Sequence, residues 1–194
     1  MSAPPKHAIR PATLEAIVEA AIHLLNANAG ATMSEIAAQA GVGRATLHRH
    51  FQTRKDLIRA IGIRCIEEMN ASVQIGQDAG KPAVDRLRSM FRAVIPLGDR
   101  YSFLSLESAD DDSVRQGYKV QLRWVEALVE DLKKQREIDP DVPTRWVVAQ
   151  IDQLVWTAWN GTSEGYLTPD EASELAVRTL IHGLHRRAQP HYSS

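Results

Sequence analysis

The chain has 194 residues, of which 44% are hydrophobic and 24% charged, and this length and hydrophobic content are enough for a folded core. Its single cysteine, Cys65, excludes an intrachain disulfide. Lack of disulfides favours a reducing, cytoplasmic setting. The formal net charge of −1 excludes a protein that is strongly basic as a whole, but residues 1–64 hold eight Lys and Arg against four Asp and Glu, which leaves −5 on the remainder. This asymmetry indicates a basic module on an acidic body.

No segment predicts export or a membrane span. The N-terminus, MSAPPKHAIRP, lacks the apolar core of a secretory signal. A run of about 18 apolar residues, as a membrane helix needs, does not occur. Apolar residues instead recur every three or four positions, the period of α-helices. We therefore predict an all-α protein of about nine helices.

The first four helices are predicted within the basic part of the chain. The first ends near Gly30, the second covers about 33–40, the third covers 44–50, and the fourth runs from after Thr53 to about Gln74. Thr32 and Thr53 are each followed three residues later by an acid, which is the pattern of a capping box at a helix start. These boxes fix where the second and fourth helices begin.

Five more helices are predicted downstream. A break over 76–82 precedes a helix over 83–95, which Pro96 and Gly98 end, and a short helix over 101–107 follows. The last three cover about 110–136, 144–160 and 169–187. Gly161 is expected to end the helix over 144–160, and Thr168 begins the last helix with another capping box.

The segment from Thr32 to Phe51 predicts a helix-turn-helix. Gly41-Val42-Gly43 would form the turn, because Gly41 can take the left-handed conformation that ends a helix. The second helix would bury mainly Leu47 and Phe51. The rest of its surface is small or polar, a poor core face but one suited to the major groove, where Arg binds guanine and small residues allow close approach. A solvated helical hairpin is the alternative from spacing alone.

The sequence TMSEIAAQAGVGRATLHRHFQTRKDLIRAI, which ends at Ile61, resembles the N-terminal DNA-binding domain of the tetracycline-repressor (TetR) family. The likeness begins near Thr13, and the rest of the chain matches only as a helical body of suitable length. The resemblance implies a DNA-binding domain over residues 1–55 and a regulatory and dimerisation domain over 56–194.

The resemblance also implies individual roles in DNA binding. Arg44 and Ala45 would open the recognition helix and face bases, while Thr32 and Thr46 would contact phosphates or bases. His50 stands at the family's histidine. Three other positions carry a different residue from the usual one: His48 stands at a tyrosine, Arg54 at a phosphate-gripping lysine, and Gly43 at a serine cap. The predicted DNA-binding residues are Thr32, Gly43, Arg44, Ala45, Thr46, His48, Arg49, His50, Arg54 and Lys55.

The last two helices predict a homodimer. Proteins that read DNA with one helix per subunit bind two half-sites as dimers. The helix over 144–160 is apolar on more than one face and so needs two partners. Gly183 costs about 1 kcal/mol relative to Ala inside a helix, and a close helix approach would explain it. The predicted interface residues are Val147, Ile151, Leu154, Ala158, Leu175, Thr179 and Gly183.

The middle helices are predicted to enclose a small, largely apolar or aromatic effector. The predicted wall is Met90, Phe91, Val94, Phe103, Trp124, Leu128 and Trp156, with Gln121, Arg123 or Asn160 as polar groups. Plain core packing is the alternative for these apolar residues. We predict no cofactor and no metal, because Asp110 to Asp112 suit a helix start and His182 and His185 have no further ligands.

The sequence thus predicts a ligand-responsive transcriptional regulator. The simplest form is a repressor that binds a palindromic double-stranded operator as a dimer and is released by a small-molecule effector. An activator, or a regulator without an effector, is one alternative. A helical enzyme or ligand carrier with an incidental hairpin is another, although the basic first third and the polar recognition face speak against it.

Overall fold

The computed structural model describes residues 11–75, 80–101 and 112–185, and these residues are helical without any strand. The prediction of an all-α protein is confirmed. The helices are α1 Pro11–Ala27, α2 Met33–Gln39, α3 Arg44–His50, α4 Arg54–Ile75, α5 Ala83–Val94, α6 Leu97–Tyr101, α7 Asp112–Lys134, α8 Thr144–Ser163 and α9 Pro169–Leu184.

All three predicted capping boxes are present. At α2 the Thr32 hydroxyl accepts a hydrogen bond from the backbone N–H of Glu35, whose carboxylate accepts from the N–H of Thr32 at 2.7 Å. Thr53 and Asp56 make the same pair of bonds at the start of α4. The box at α9 is formed by Thr168 and Glu171, with Pro169 in the first turn. These local contacts set where the three helices begin.

The short helix α6 lies earlier than predicted. It begins at Leu97, directly after the Pro96 that cannot continue α5. Residues 102–107, where most of the predicted helix falls, are outside the described ranges. Gly98 does not interrupt α6 but packs inside it, because a Cβ there would lie 2.2 Å from Cδ1 of Trp159.

The end of α8 was also predicted at the wrong glycine. The helix continues through Gly161 to Ser163, and a Cβ on Gly161 would lie 2.9 Å from Cδ1 of Leu167. The chain turns at Gly165 instead, which has a φ of +78°. Gly161 therefore serves close packing, and Gly165 provides the left-handed residue after the helix.

The described residues divide into two compact units. The first contains those up to Cys65 with Arg100, Tyr101 and the first residues of α7 (112–114), and the second contains the others. This division falls within α4, whereas the sequence placed the domain boundary at residue 55. In the first unit α1 packs on α2 and α2 on α3 around fully buried Ile17, Ile36 and Leu47.

The second unit has its own apolar core, built from α5, α7, α8, α9 and the end of α4. Leu87, Phe91, Leu128 and Leu132 are fully buried at its centre. Helix α9 packs on both α5 and α8. None of the described helices is long and apolar enough to cross a membrane.

Candidate nucleic-acid interface and effector region

Helix α3 is held on its unit by two buried anchors, one in its middle and one at its C-terminal end. Leu47 is fully buried, and Phe51, at the C-terminal cap, is 6% exposed. The turn before α3 follows the predicted geometry, since Gly41 has a φ of +66° and the N–H of Val42 donates to the carbonyl of Ala37 at 3.0 Å. The buried anchors and the defined turn fix which side of α3 faces outward.

The outward side of α3 carries the side chains that the sequence assigned to DNA. Arg44, Ala45, His48 and Arg49 are exposed, while Thr46 and His50 are half-buried. Gly43 is the N-terminal cap and supplies no side-chain bond. The face therefore combines two guanidinium groups with a small residue at the start of the helix, which suits contact with base edges and phosphates.

Arg54 has a different role in the structure from the one expected. Its guanidinium donates to the carbonyls of Ala29 and Ala31 at 2.6 Å each, so it ties the start of α4 to the turn after α1. Lys55, the next residue, is exposed. Lys55 is thus the better placed of the two cations for a phosphate. Sequence spacing could not show this, because the carbonyls that hold Arg54 are backbone atoms.

A charged network that the sequence did not predict lies beside α1. The guanidinium of Arg64 binds Glu15 at 2.6 Å and Glu19 at 3.0 Å, and Arg100 also binds Glu19. The amide of Asn26 donates to the carbonyl of Arg100 at 2.6 Å. Helix α1 is therefore tied both to α4 and to the last residues of α6. Partners so far apart in the chain leave no local signal.

The predicted effector wall is mostly solid core. Met90, Phe91, Val94 and Leu128 are buried in the core of the second unit, and Phe103 lies outside the described residues. Trp124 is half-buried, and Trp156 is 38% exposed. Core packing accounts for the four that are buried.

Another concavity lies between α5 and α9. It is an open groove of about 580 Å³ that shares no residue with the predicted wall. Its floor is apolar, with Val84, Leu167, Leu175, Val177 and Ile181, and its rim is charged, with Arg88, Glu171, Glu174, Arg178 and His182. Arg88 bonds Glu174 across it at 2.8 Å, which raises the pKa of Arg88.

A group of polar side chains lies where α7 and α8 contact each other. The hydroxyl of Tyr118 donates to Oδ1 of Asp152 at 3.4 Å. Burial raises the pKa of both Asp152 and Tyr118. Oε1 of Gln121, one turn along α7 from Tyr118, is buried without a hydrogen-bond partner. The sequence had named Gln121 but neither Asp152 nor Tyr118.

The predicted interface residues separate into two sets. Val147, Ile151 and Ala158 are buried in the core of their own unit, so they cannot form the surface predicted for them. Leu154 and Leu175 are half-buried, and Thr179 and Gly183 are exposed. Helix α8 also exposes Trp146, at 57%, which the sequence did not single out. The helical period predicted for α8 is correct, but three of the residues predicted for its outward face lie on the face that packs into its own core.

No group of three or more His, Cys, Asp and Glu within the described ranges could hold a metal ion. Asp110 and Asp111 lie outside those ranges, and Cys65 is buried. His185 lies beside the carbonyl of Glu137 at 3.4 Å rather than beside His182.

Comparisons with known proteins agree with this arrangement. Residues 17–61 match the sequence model of the bacterial regulatory proteins of the tetR family. The chain is 28% identical over 158 residues to the HTH-type transcriptional repressor LfrR of Mycolicibacterium smegmatis, covering 80% of this chain and 82% of that protein.

Solved structures show the same fold. The TetR-like regulator LfrR in complex with proflavine has a TM-score of 0.75 at 24% identity, over 91% of this chain and 99% of that one. FadR from Bacillus halodurans, a fatty acid degradation regulator, has a TM-score of 0.76 at 15% identity, over 93% and 100%. AibR in complex with isovaleryl coenzyme A and operator DNA has 0.72 at 22%, over 87% and 98%.

Proposed function

Because this chain belongs to the tetR family of bacterial transcriptional regulators, we propose that it represses transcription by binding a palindromic operator as a homodimer, and that a small-molecule effector releases it. The observation that carries the proposal is the exposed face of α3, with Arg44 and Arg49 outward and Leu47 fully buried beneath them. Because α3 buries only Leu47 among its own residues, its exposed polar side chains are available to bind a partner molecule. LfrR, to which this chain is similar, is named a transcriptional repressor.

The first test is a fluorescence-anisotropy titration against palindromes upstream of the chain's own and neighbouring genes, at two salt concentrations. Phosphate contacts release counterions, so binding must weaken steeply as salt rises. Sequence-dependent, salt-sensitive binding supports the proposal. A folded protein that binds these palindromes no better than random DNA of equal length would contradict it.

Dimerisation is proposed through the outward sides of α8 and α9. Trp146 on α8 and Thr179 and Gly183 on α9 are exposed, and large exposed aromatic residues are typical of interfaces. Two copies would place two recognition helices for half-sites about 34–36 Å apart or a multiple of it. Native mass spectrometry at micromolar concentration gives the test, and a monomer mass there would defeat the proposal.

Release by an effector is proposed from two observations. The second unit has half-buried polar and aromatic side chains on α7 and α8 beyond its packed core. Structural neighbours include regulators in complex with proflavine and with isovaleryl coenzyme A. A ligand that prefers the form unable to match both half-sites lowers operator affinity by linkage. Unchanged operator affinity at saturating effector would refute this.

An activator remains the alternative within the same family, and a promoter-fusion reporter distinguishes it. Deleting the gene of a repressor raises expression from the bound promoter, whereas deleting that of an activator lowers it. The alternative of an enzyme or ligand carrier has no support in the relatives, which are transcriptional regulators.

A further inference from the structure

Asp152 on α8 is a half-buried carboxylate whose hydrogen-bond partner within the described ranges is a tyrosine hydroxyl, not a cation. Its hydrogen bond is to the Tyr118 hydroxyl, 3.4 Å away, and no Lys, Arg or His pairs with it among the described residues. Asp131 in the same unit is different, because Arg86 at 2.9 Å and Lys134 at 3.2 Å compensate its charge. Burial of an uncompensated carboxylate costs free energy, and accordingly the pKa of Asp152 is raised whereas that of Asp131 is lowered.

Two indole rings share the side of α8 on which Asp152 lies. Trp156 and Trp159 follow Asp152 by four and seven residues, which is the helical repeat of one face. Their ring centroids are 4.9 Å apart at 74°, an edge-to-face pair. Trp159 is fixed by a bond from its Nε1 to the carbonyl of Val94 at 3.3 Å, whereas Trp156 is 38% exposed. The faces of indole rings attract cations.

A free acceptor lies on the facing helix. Gln121 follows Tyr118 by three residues on α7, so both occupy the side of α7 from which Tyr118 reaches Asp152. Oε1 of Gln121 is buried and has no hydrogen-bond partner. A buried amide oxygen left unpaired is costly, and a ligand N–H group would satisfy it.

We propose that Asp152, Trp156 and Gln121 bind a flat organic cation that carries N–H groups, and that this cation is the effector. The carboxylate supplies the opposite charge, the exposed indole supplies a stacking surface, and the amide oxygen accepts the N–H. An anionic ligand such as an acyl coenzyme A is repelled by Asp152. The identity of this cation site as the effector site rests on the proposed function above.

The test is isothermal titration calorimetry on the full chain with two probes of the same ring system. Proflavine is protonated at neutral pH, whereas acridine is largely neutral. The variants are Asp152→Asn, which removes the charge without changing the shape, and Asp141→Asn, which removes the same charge from an exposed site in the loop before α8. We expect Asp152→Asn to weaken proflavine about tenfold or more and to leave acridine unchanged. We expect Asp141→Asn to change neither.

Several outcomes would overturn the cation site. These are an Asp152→Asn variant that binds proflavine as tightly as the parent chain, equal weakening of both probes, and a parent chain that binds isovaleryl coenzyme A but not proflavine. Gln121→Met, which removes the acceptor at similar length, provides a second variant if the first does not fold. It too should weaken proflavine more than acridine.

Adding proflavine to the operator complex separates this proposal from the proposed function. If proflavine binds in an Asp152-dependent way and the operator complex persists, release by this cation is wrong and the binding site stands. If proflavine releases the operator equally from the parent chain and from Asp152→Asn, the cation site is wrong and ligand-controlled release stands.

Discussion

Leu47→Ala should lower the stability of its unit, whereas Arg49→Ala, two residues further along α3, should weaken DNA binding with little change in stability. Leu47 is fully buried, and burial of that degree gives Leu→Ala losses of about 2–5 kcal/mol in the free energy of unfolding. Arg49 is exposed, so its removal should change stability by no more than about 0.5 kcal/mol. If Arg49 makes the proposed two-bond contact with guanine, its removal should cost about 1–3 kcal/mol, or about 5- to 150-fold in affinity per half-site.

The assay separates the two units because all four tryptophans lie in the second one, at positions 124, 146, 156 and 159. Urea unfolding followed by tryptophan fluorescence reports the second unit, and far-ultraviolet circular dichroism reports both. Leu47→Ala should lower the dichroism transition and leave the fluorescence transition in place. Lys119→Ala, which removes a positive charge from exposed α7, is the control for operator affinity. Equal loss of stability in Leu47→Ala and Arg49→Ala would refute the assignment of the two faces.

Three further predictions concern the second unit. Gly183→Ala should stabilise the single chain by up to about 1 kcal/mol, since a Cβ there meets nothing within 4 Å. The same change should weaken the proposed dimer in sedimentation equilibrium, because the added methyl group would crowd a close helix contact. Unchanged association would show that the α9 contact does not include Gly183. Gly98→Ala should instead lower the free energy of unfolding by about 1–3 kcal/mol in thermal unfolding, because its Cβ would clash with the ring of Trp159. A higher stability of this variant would contradict the close approach of Gly98 and Trp159. Asp152→Asn should raise the melting temperature at neutral pH. The pKa of Asp152 is raised on folding, so the folded chain binds a proton more tightly and stability falls as pH rises between the unfolded and folded values. The gain should vanish below the unfolded pKa of about 3.9, and a gain that persists there would exclude ionisation as its cause.

The N-terminal unit was predictable because its signals are local. A Thr and an acid three residues later fix a helix start within one turn, and the structure has that pair in this unit at Thr32 and Thr53. Gly41 likewise marks a turn through its own backbone, without reference to distant residues. The face of α3 then follows from one buried residue, Leu47, because the other positions are set by the helical period.

Signals from distant residues explain the errors. Gly161 looked like a helix end because glycine often is one, and only the approach of Leu167 shows that it serves packing. The spacing of Arg54 predicts a phosphate ligand, but its guanidinium is held by the backbone carbonyls of Ala29 and Ala31, which the sequence does not place beside it. For α8, apolar residues occupy more than one side, and the period alone does not tell which side meets the protein's own core and which is outward.

Asp152 shows why the effector region is harder to predict than the recognition helix. The residue stands in an apolar segment, where the sequence gives its charge but neither its burial nor its partners. The unusual environment of Asp152 is recognised by comparing two carboxylates in one unit. Asp131 forms an ion pair with Arg86, whereas Asp152 forms no ion pair with any cation among the described residues. A charge that the protein leaves uncompensated in a half-buried position is costly unless something from outside compensates it. The free-energy cost of burying the Asp152 carboxylate is therefore the reason to assign it a ligand of opposite charge.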